Sequence, residues 1–455
     1  MISTIVNQLT NKKYKQFCIF FCLSFISFSL WLVAFWPGIV NYDSLNIWNQ
    51  VLNGHYTDWH PYVYTYLVRI MALFSLSPAP VAILQILISS ILGSYIFLKL
   101  YQKIEKKWIV WLAFIGYITS VTIGLYNITL WTDIIFAQLI AYWGILLYSG
   151  IIDGKKIAHP VYLVFLGMLL FFTSTIRHNG IIFLLLIPFF FYMAKVMKLK
   201  TVAIFSLIAI SFYLVSRTVV PHYFHIKMTH PLIEISQIQL IGAVLSSNNI
   251  IYDETSNPPL NLIDKALSRP ELTKGYKCRS IDPLVSKMNL EILEDPLYKR
   301  EFNKIFFPLI IHNFPQVLED RVCMVSSAFL KPTGTPYQND LEFENSEPEF
   351  PYNLGLKQGN RFPILRGIYL KVIHFQELFI MNPLLIPLLL FLFGLTFYKK
   401  NKPLFFYSLV IIIQVPFLIL LLPSDSFRYF YFLHFGFFFL IPMFFIKPGS
   451  AKTKT

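Results

Sequence analysis

Asp43, Asp58 and His60 fall within 18 residues of one another in the stretch NYDSLNIWNQVLNGHYTDWHP at 41–61, which also carries Trp48 and Trp59. A carboxylate or an imidazole at such a place can take a proton from an attacking hydroxyl. The two indoles offer flat apolar faces with a polar edge, suited to the membrane–water boundary or to a sugar ring. Further along stand Asp133 in LWTDIIFAQ, Arg177 in TIRHNGIIFLLLIP and Arg428 in SFRYFYFLHFGFFFLIP, each beside an apolar run. A guanidinium grips phosphate or carboxylate at two points, which an ammonium does not do. Each residue also has a plainer reading. Asp43 at the start of a short helix could be its N-cap, the arginines could reach lipid headgroups, and His60 could simply bond at a helix start.

Whatever the chemistry, the elements that position these residues lie in a membrane. The chain of 455 residues is 56% hydrophobic and only 14% charged, against about 25% charged in soluble domains. Ten apolar runs are long enough, or nearly so, to cross a hydrocarbon core of roughly 30 Å. They lie at 17–37, 79–99, 108–126, 134–150, 160–176, 180–194, 201–220, 381–397, 403–422 and 429–446. The first is too long for a signal-peptide core and lacks a small-residue cleavage site, so it reads as a retained span.

The net charge of +14 is explained by placement and not by a nucleic-acid partner. Segment 221–380 holds 16 basic and 18 acidic residues; of the 22 basic residues left, 18 are lysines. With ten spans, every lysine cluster falls on one side, which the positive-inside rule makes the cytoplasm. Both termini are then cytoplasmic. Arg69, Arg177, Arg217 and Arg428, with Asp43, Asp58, Asp133 and Asp425, sit at or near the opposite ends of the spans. Ionisable groups at that depth are costly and tend to mark a site.

The chain thus divides into an N-terminal membrane module at 1–220 with its first outer loop at 38–78, an outer region at 221–380, and C-terminal spans with a cytoplasmic tail at 381–455. In the first loop, Leu45, Trp48 and Leu52 share one face of a helix over 44–53, expected to rest in the interface with Trp48 as anchor. Gly54 ends it, and Pro61 suits the first position of a second helix over 61–76. In the outer region, EDPLYKREFNKIFFPLIIHNFPQVLEDRVCMVSSAF predicts one or two amphipathic helices lying on the membrane surface. Cys278 and Cys323 share this region, and a disulfide between them is possible. No spacing resembles a zinc site, a Walker loop or a dinucleotide fingerprint.

A first span ending in Pro-Gly, an acidic residue, an interfacial helix, a His-Pro and a second interfacial helix together resemble the GT-C superfamily. Its members are polytopic glycosyltransferases, such as protein O-mannosyltransferases and lipid A aminoarabinose transferases, that use polyprenyl-phosphate-linked sugars. Asp133, Arg177 and Arg428 stand in the order that the family's fourth-span acid, its basic-Gly element and its late Arg-Tyr would occupy. The likeness covers about 17–200 and 381–446, and is closest to an uncharacterised bacterial branch. It implies an all-α polytopic membrane protein of about ten transmembrane helices, with interfacial helices in the first outer loop and an extracytoplasmic α or mixed insertion. It implies a bacterial inner-membrane enzyme that moves a sugar from a polyprenyl-phosphate donor to a glycan, glycolipid or protein acceptor on the extracytoplasmic face.

On that resemblance Asp43 is the base, and Arg177 and Arg428 hold the donor phosphate. Asp58, His60 and Asp133 orient acceptor or donor, and Trp48, Trp59 or Trp131 stack on sugar. Phosphate is already a good leaving group, so one base suffices where a hydrolase needs two carboxylates. The sequence lacks a second acid beside Asp43 and the Trp-Trp-Asp-Tyr-Gly signature of oligosaccharyltransferases. Those departures leave a divalent metal conceivable but not indicated, and argue against whole-oligosaccharide transfer to asparagine. The alternatives are a polymerase or ligase of lipid-linked polysaccharide, a transporter or lipid flippase, and a non-catalytic scaffold.

Overall fold

A computed structural model describes residues 12–154, 159–228, 232–247, 261–330, 361–379, 384–421 and 424–446. The C-terminal lysines of the expected cytoplasmic tail lie outside the described residues. Among the described residues the chain is helical, with no named strand. The first half contains α1 (Lys12–Ala34), α2 (Tyr42–Asn53), α3 (Tyr62–Ala72), α4 (Ala79–Lys103), α5 (Lys107–Thr119), α6 (Val121–Asn127), α7 (Thr132–Asp153), α8 (Pro160–Thr175), α9 (Phe183–Met193) and α10 (Leu199–Tyr223). Next come α11 (Leu232–Leu245), α12 (Asn261–Ala266), α13 (Arg269–Gly275), α14 (Asp282–Val285), α15 (Leu290–Glu294), α16 (Pro296–His312) and α17 (Phe314–Leu330). The chain closes with α18 (Pro363–Phe379), α19 (Leu385–Leu395), α20 (Lys402–Ile412), α21 (Val415–Leu421) and α22 (Tyr431–Met443).

Among the described residues five stretches are long and apolar enough to cross a bilayer: α1, α4, α7, α10 and the run Lys402–Leu420 formed by α20 and α21. A sixth is the pair α5 and α6, bent by 51° at Ser120. The expected ten spans are therefore met at full length by five or six. The runs at 160–176, 180–194, 381–397 and 429–446 correspond to α8, α9, α19 and α22, which have 16, 11, 11 and 13 residues. An apolar run need not be one straight helix. Arg177–Gly180 interrupts the chain between α8 and α9 with a 3₁₀ turn, His178–Ile182. A similar turn, Phe427–Phe430, precedes α22. Both turns lie where arginines of interest sit.

The two ends of the bundle carry different charges. Asp133 and Asp153 are on the first and last turns of α7, about 30 Å apart at 1.5 Å per residue, which is roughly the thickness of a hydrocarbon core. At the far end Asp153 pairs with Lys99 at 3.5 Å and Lys103 at 3.2 Å, from the last turn of α4. At the near end Asp133 pairs with Arg177. One end of α7 thus carries lysine contacts and the other an arginine contact.

Aromatic packing holds the bundle together. Phe20 on α1 meets Trp111 and Phe114 on α5 at centroid distances of 5.0 and 4.7 Å. Gly124 on α6 lies so close to the Trp31 indole that a Cβ there would come within 2.2 Å of its Nε1. The break at Ser120 lies in TSVT, a run of β-branched and hydroxyl residues that favours helix weakly. Ser120 recovers part of the loss by accepting from the Ile123 N–H. Below the turn after α6, Gln85 Nε2 donates to the carbonyls of Asn127 and Thr129 at 3.1 and 2.8 Å.

Residues 232–247 and 261–317 have their own core, in which Ile235, Ile238 and Ile241 of α11 face Tyr298, Phe302, Phe306 and Leu309 of α16. The amphipathic stretch expected on the membrane surface packs one apolar face into this core and leaves Phe307, Ile311, Phe314, Leu318 and Val322 exposed. It forms two helices, and the Phe302 face of α16 packs inside this second domain. Cys278 and Cys323 are disulfide-bonded, with Cα atoms 6.1 Å apart. Met324 and Phe329 at the end of α17, and Ile373 on α18, belong instead to the main core. α18 follows the end of α1, with Arg366 over the Phe35 ring and Tyr369 against Trp31.

Candidate functional site

Three two-residue backbone bridges set the loops at the arginine-bearing end: Ile39 with Thr129, Thr57 with Lys227, and Ser280 with Ser424. The first fixes Asp43. Ile39 N donates to Ile128 O at 2.9 Å and Leu130 N to Ile39 O at 3.2 Å, tying the end of α1 to the start of α7. Ser44 Oγ then donates to Leu130 O at 2.7 Å. Asn41, not Asp43, caps α2: its side chain accepts from the Ser44 N–H at 3.0 Å. Asp43 is therefore in the first turn with its carboxylate free to point elsewhere. Gly54 ends α2 in the left-handed region at φ 70°, where a side chain would be strained.

Asp43 Oδ2 pairs with Nη1 of Arg428, a residue 385 positions away. His60 Nε2 is 3.9 Å from Asp43 Oδ1. Arg428, in the 3₁₀ turn before α22, lies with its guanidinium carbon 5.6 Å from the Trp131 ring centre and 5.0 Å from that of Tyr429. Arg177, at the head of the other 3₁₀ turn, pairs with Asp133 Oδ1 at 2.7 Å. Its guanidinium carbon is 5.4 Å from the Phe136 ring centre and 5.5 Å from Tyr429. Tyr429 thus neighbours both cations. Five residues named from sequence, Asp43, His60, Asp133, Arg177 and Arg428, come together from four separate segments.

The two ion pairs differ in access. The side chains of Asp133 and Arg177 are 6% and 11% exposed, whereas those of Asp43 and Arg428 are 26% and 22% exposed. Burial pushes the Asp43 carboxyl up, but Arg428 and His60 outweigh it and hold the group below the usual carboxylate range. Burial pushes His60 down, and the opposing pull of Asp43 does not fully offset it. At neutral pH the site therefore holds an ionised Asp43 beside a neutral imidazole. Two buried donors, Trp131 Nε1 and Asn179 Nδ2, find no hydrogen-bond acceptor among the described residues. One belongs to the ring against Arg428, and the other is two residues from Arg177. An unmet buried donor on the ring that lies against Arg428 suits a ligand that brings oxygen acceptors.

Other expected site residues go elsewhere. Asp58 is 1% exposed and pairs with Arg217 of α10 at 2.6 Å. The second bridge puts it there, since its N–H donates to Lys227 O at 3.0 Å. Trp48 is 1% exposed within the main core, and Leu45 lies with it while Leu52 is solvent-facing. It is a packing residue, not an interface anchor or a stacking face, because α2 turns the Leu45–Trp48 side inward. The Trp59 ring packs against the core of the second domain, and its carbonyl lies 3.3 Å from His178 Nε2. Pro61 is the N-cap of α3, which stops at Ala72, short of the expected 76; Ser75, Ser77 and Pro78 follow, and residues before proline avoid helix.

Tyr429 was not singled out by itself, and the only sequence signal for it is its place directly after Arg428. Among the described residues no group of three or more His, Cys, Asp and Glu side chains is placed to hold a metal ion. Here both carboxylates already face guanidinium groups. The chain matches no family model, no curated protein and no solved structure.

Proposed function

We propose that the protein is an integral membrane glycosyltransferase that moves a sugar from a polyprenyl-phosphate donor to a cell-surface acceptor on the extracytoplasmic face. The observation that carries this reading is the exposed half of the cluster, Asp43 paired with Arg428 at the arginine-bearing end of an apolar helical bundle. The lysine-bearing end is then cytoplasmic by the positive-inside rule. On this reading α8, α9, α19 and α22 complete the ten crossings as short or interrupted spans.

In the free protein Arg428 occupies the Asp43 carboxylate and keeps it weakly basic. A partly exposed ion pair is worth only about 1 kcal/mol, so an arriving phosphate can take the guanidinium in a charge-assisted, two-point contact. The carboxylate so released becomes more basic. The acceptor hydroxyl gives its proton to Asp43 as its oxygen bonds to the anomeric carbon. The bond from that carbon to the phosphate oxygen breaks, and its electron pair stays on the phosphate, beside Arg428. Preorganised charge at the leaving group stabilises the transition state without a protonation step. Neutral His60 orients the carboxylate, and the buried Asp133–Arg177 pair forms the rigid wall behind Tyr429.

The test compares surface glycans and polyprenyl-phosphate-sugar pools in a deletion strain complemented with wild type or with Asp43→Asn. Loss of one glycan with accumulation of the lipid-linked sugar in both the deletion and the variant is expected. Unchanged glycans and pools on deletion would overturn the proposal. A second reading, translocation of a lipid or solute, draws on one feature: the broken span at Ser120, where Ser120 Oγ and His434 Nε2 are 3.0 Å apart. Translocation should survive Asp43→Asn.

A further inference from the structure

The third bridge, Ser280 with Ser424, joins the second domain to the loop that carries Arg428. Arg279 holds Asp425 in two ways: its carbonyl accepts from the Asp425 N–H at 2.8 Å, and its Nε lies 3.0 Å from the carboxylate. Ser327 on α17 donates to the same carboxylate oxygen. Arg321, also on α17, donates to the Ile419 carbonyl at 3.3 Å, and Phe329 meets Phe430 edge-on at 4.7 Å. Arg279 directly follows Cys278, which the disulfide joins to Cys323 on α17. One covalent bond thus ties together both segments that grip Asp425.

Arg428 lies three residues beyond Asp425, in a 3₁₀ turn of four residues. So short a turn has little stability of its own and takes its shape from its surroundings. We infer that Asp425 is a positioning residue through which the second domain sets the guanidinium of Arg428, and that the Cys278–Cys323 bond makes this setting depend on oxidation. Reduction leaves Arg279 on a segment no longer fastened to α17, so its hold on Asp425 and that of Ser327 cease to act as one. The consequence for donor binding rests on the glycosyl-transfer reading; the mechanical link does not.

The experiment measures hydrogen exchange of the full chain in nanodiscs, oxidised and after thiol reduction, with Asp425→Asn, Arg279→Lys and Arg279→Gln. Binding of a polyprenyl monophosphate is measured in the same preparations. Reduction and Asp425→Asn should each speed exchange across 424–430 while α11 stays protected. Each should weaken the phosphate lipid about tenfold, or about 1.4 kcal/mol, and Arg279→Lys should retain more binding than Arg279→Gln. Unchanged exchange at 424–430 under both perturbations overturns the inference, as does a rise spread evenly over α11 and α17. If the wild type binds no polyprenyl phosphate, the functional reading falls, and the exchange pattern still decides the link.

Discussion

Asp43 and Asp58 lie on the same loop, and each pairs with an arginine from a distant part of the chain. Asp58 is almost wholly buried against Arg217 and is tied by its own N–H to Lys227. Asp43 is about a quarter exposed, shares its arginine with two aromatic rings and has His60 alongside. Asp58 is the buried partner, since the Arg217 side chain is 28% exposed, so losing Arg217 would strand the carboxylate at a cost of about 3–5 kcal/mol. A partly open pair exchanges partners cheaply. The same two residue types therefore build a brace in one place and a site able to accept an anion in the other, and surrounding packing decides which.

The largest expected effect separates the two. Asp43→Asn should lower turnover of purified enzyme by about 10³-fold, the scale of a lost general base, with little loss of folded protein. Asp58→Asn should instead reduce folded yield and thermal stability while leaving turnover per folded molecule within a few-fold. Equal losses of turnover in both variants would erase the distinction.

Next in size is Arg428→Lys, which keeps the charge but loses the planar fork. Its KM for the lipid donor should rise about tenfold or more, on the scale of 1.4 kcal/mol per decade. Arg177→Lys should act mainly on stability, since Arg177 is already taken by buried Asp133. A donor KM that responds equally to both would mean that both guanidinium groups hold phosphate.

The smallest effect concerns pH. The Asp43 carboxyl is held below its ordinary value, so its ion pair contributes stability above the unfolded carboxylate pKa of about 3.9. That contribution should fade as pH falls through the lower folded value. The difference in melting temperature between wild type and Asp43→Asn should therefore shrink as pH falls below about 4. A difference that keeps growing below about pH 4 would contradict the Arg428 pairing.

Much of the frame was legible. α1, α4, α7 and α10 announce themselves by unbroken apolar length, and Asp133 and Asp153, at the two ends of α7, meet an arginine and two lysines respectively. The helix over 44–53 was legible from Leu45 and Trp48, but its orientation was not. An apolar face reads the same whether it meets lipid or a protein core, so Trp48 was placed in the interface and lies in the interior. Likewise the amphipathic face of α16 gave no sign that α11 would cover it. Hydropathy also counts residues and not where a helix stops, so the runs at 160–176, 180–194, 381–397 and 429–446 read as spans although their helices have only 16, 11, 11 and 13 residues.

The sequence by itself determined which residues carry charge at the ends of the spans, because ionisable groups in an apolar chain are few and their cost confines them there. Only the tertiary structure decided which carboxylate meets which guanidinium. Partner choice between Asp43 and Arg428, 385 residues apart, depends on backbone bridges such as Ile39 with Thr129 and Ser280 with Ser424. Those are long-range closures between main-chain groups present in every residue, so no residue type records them.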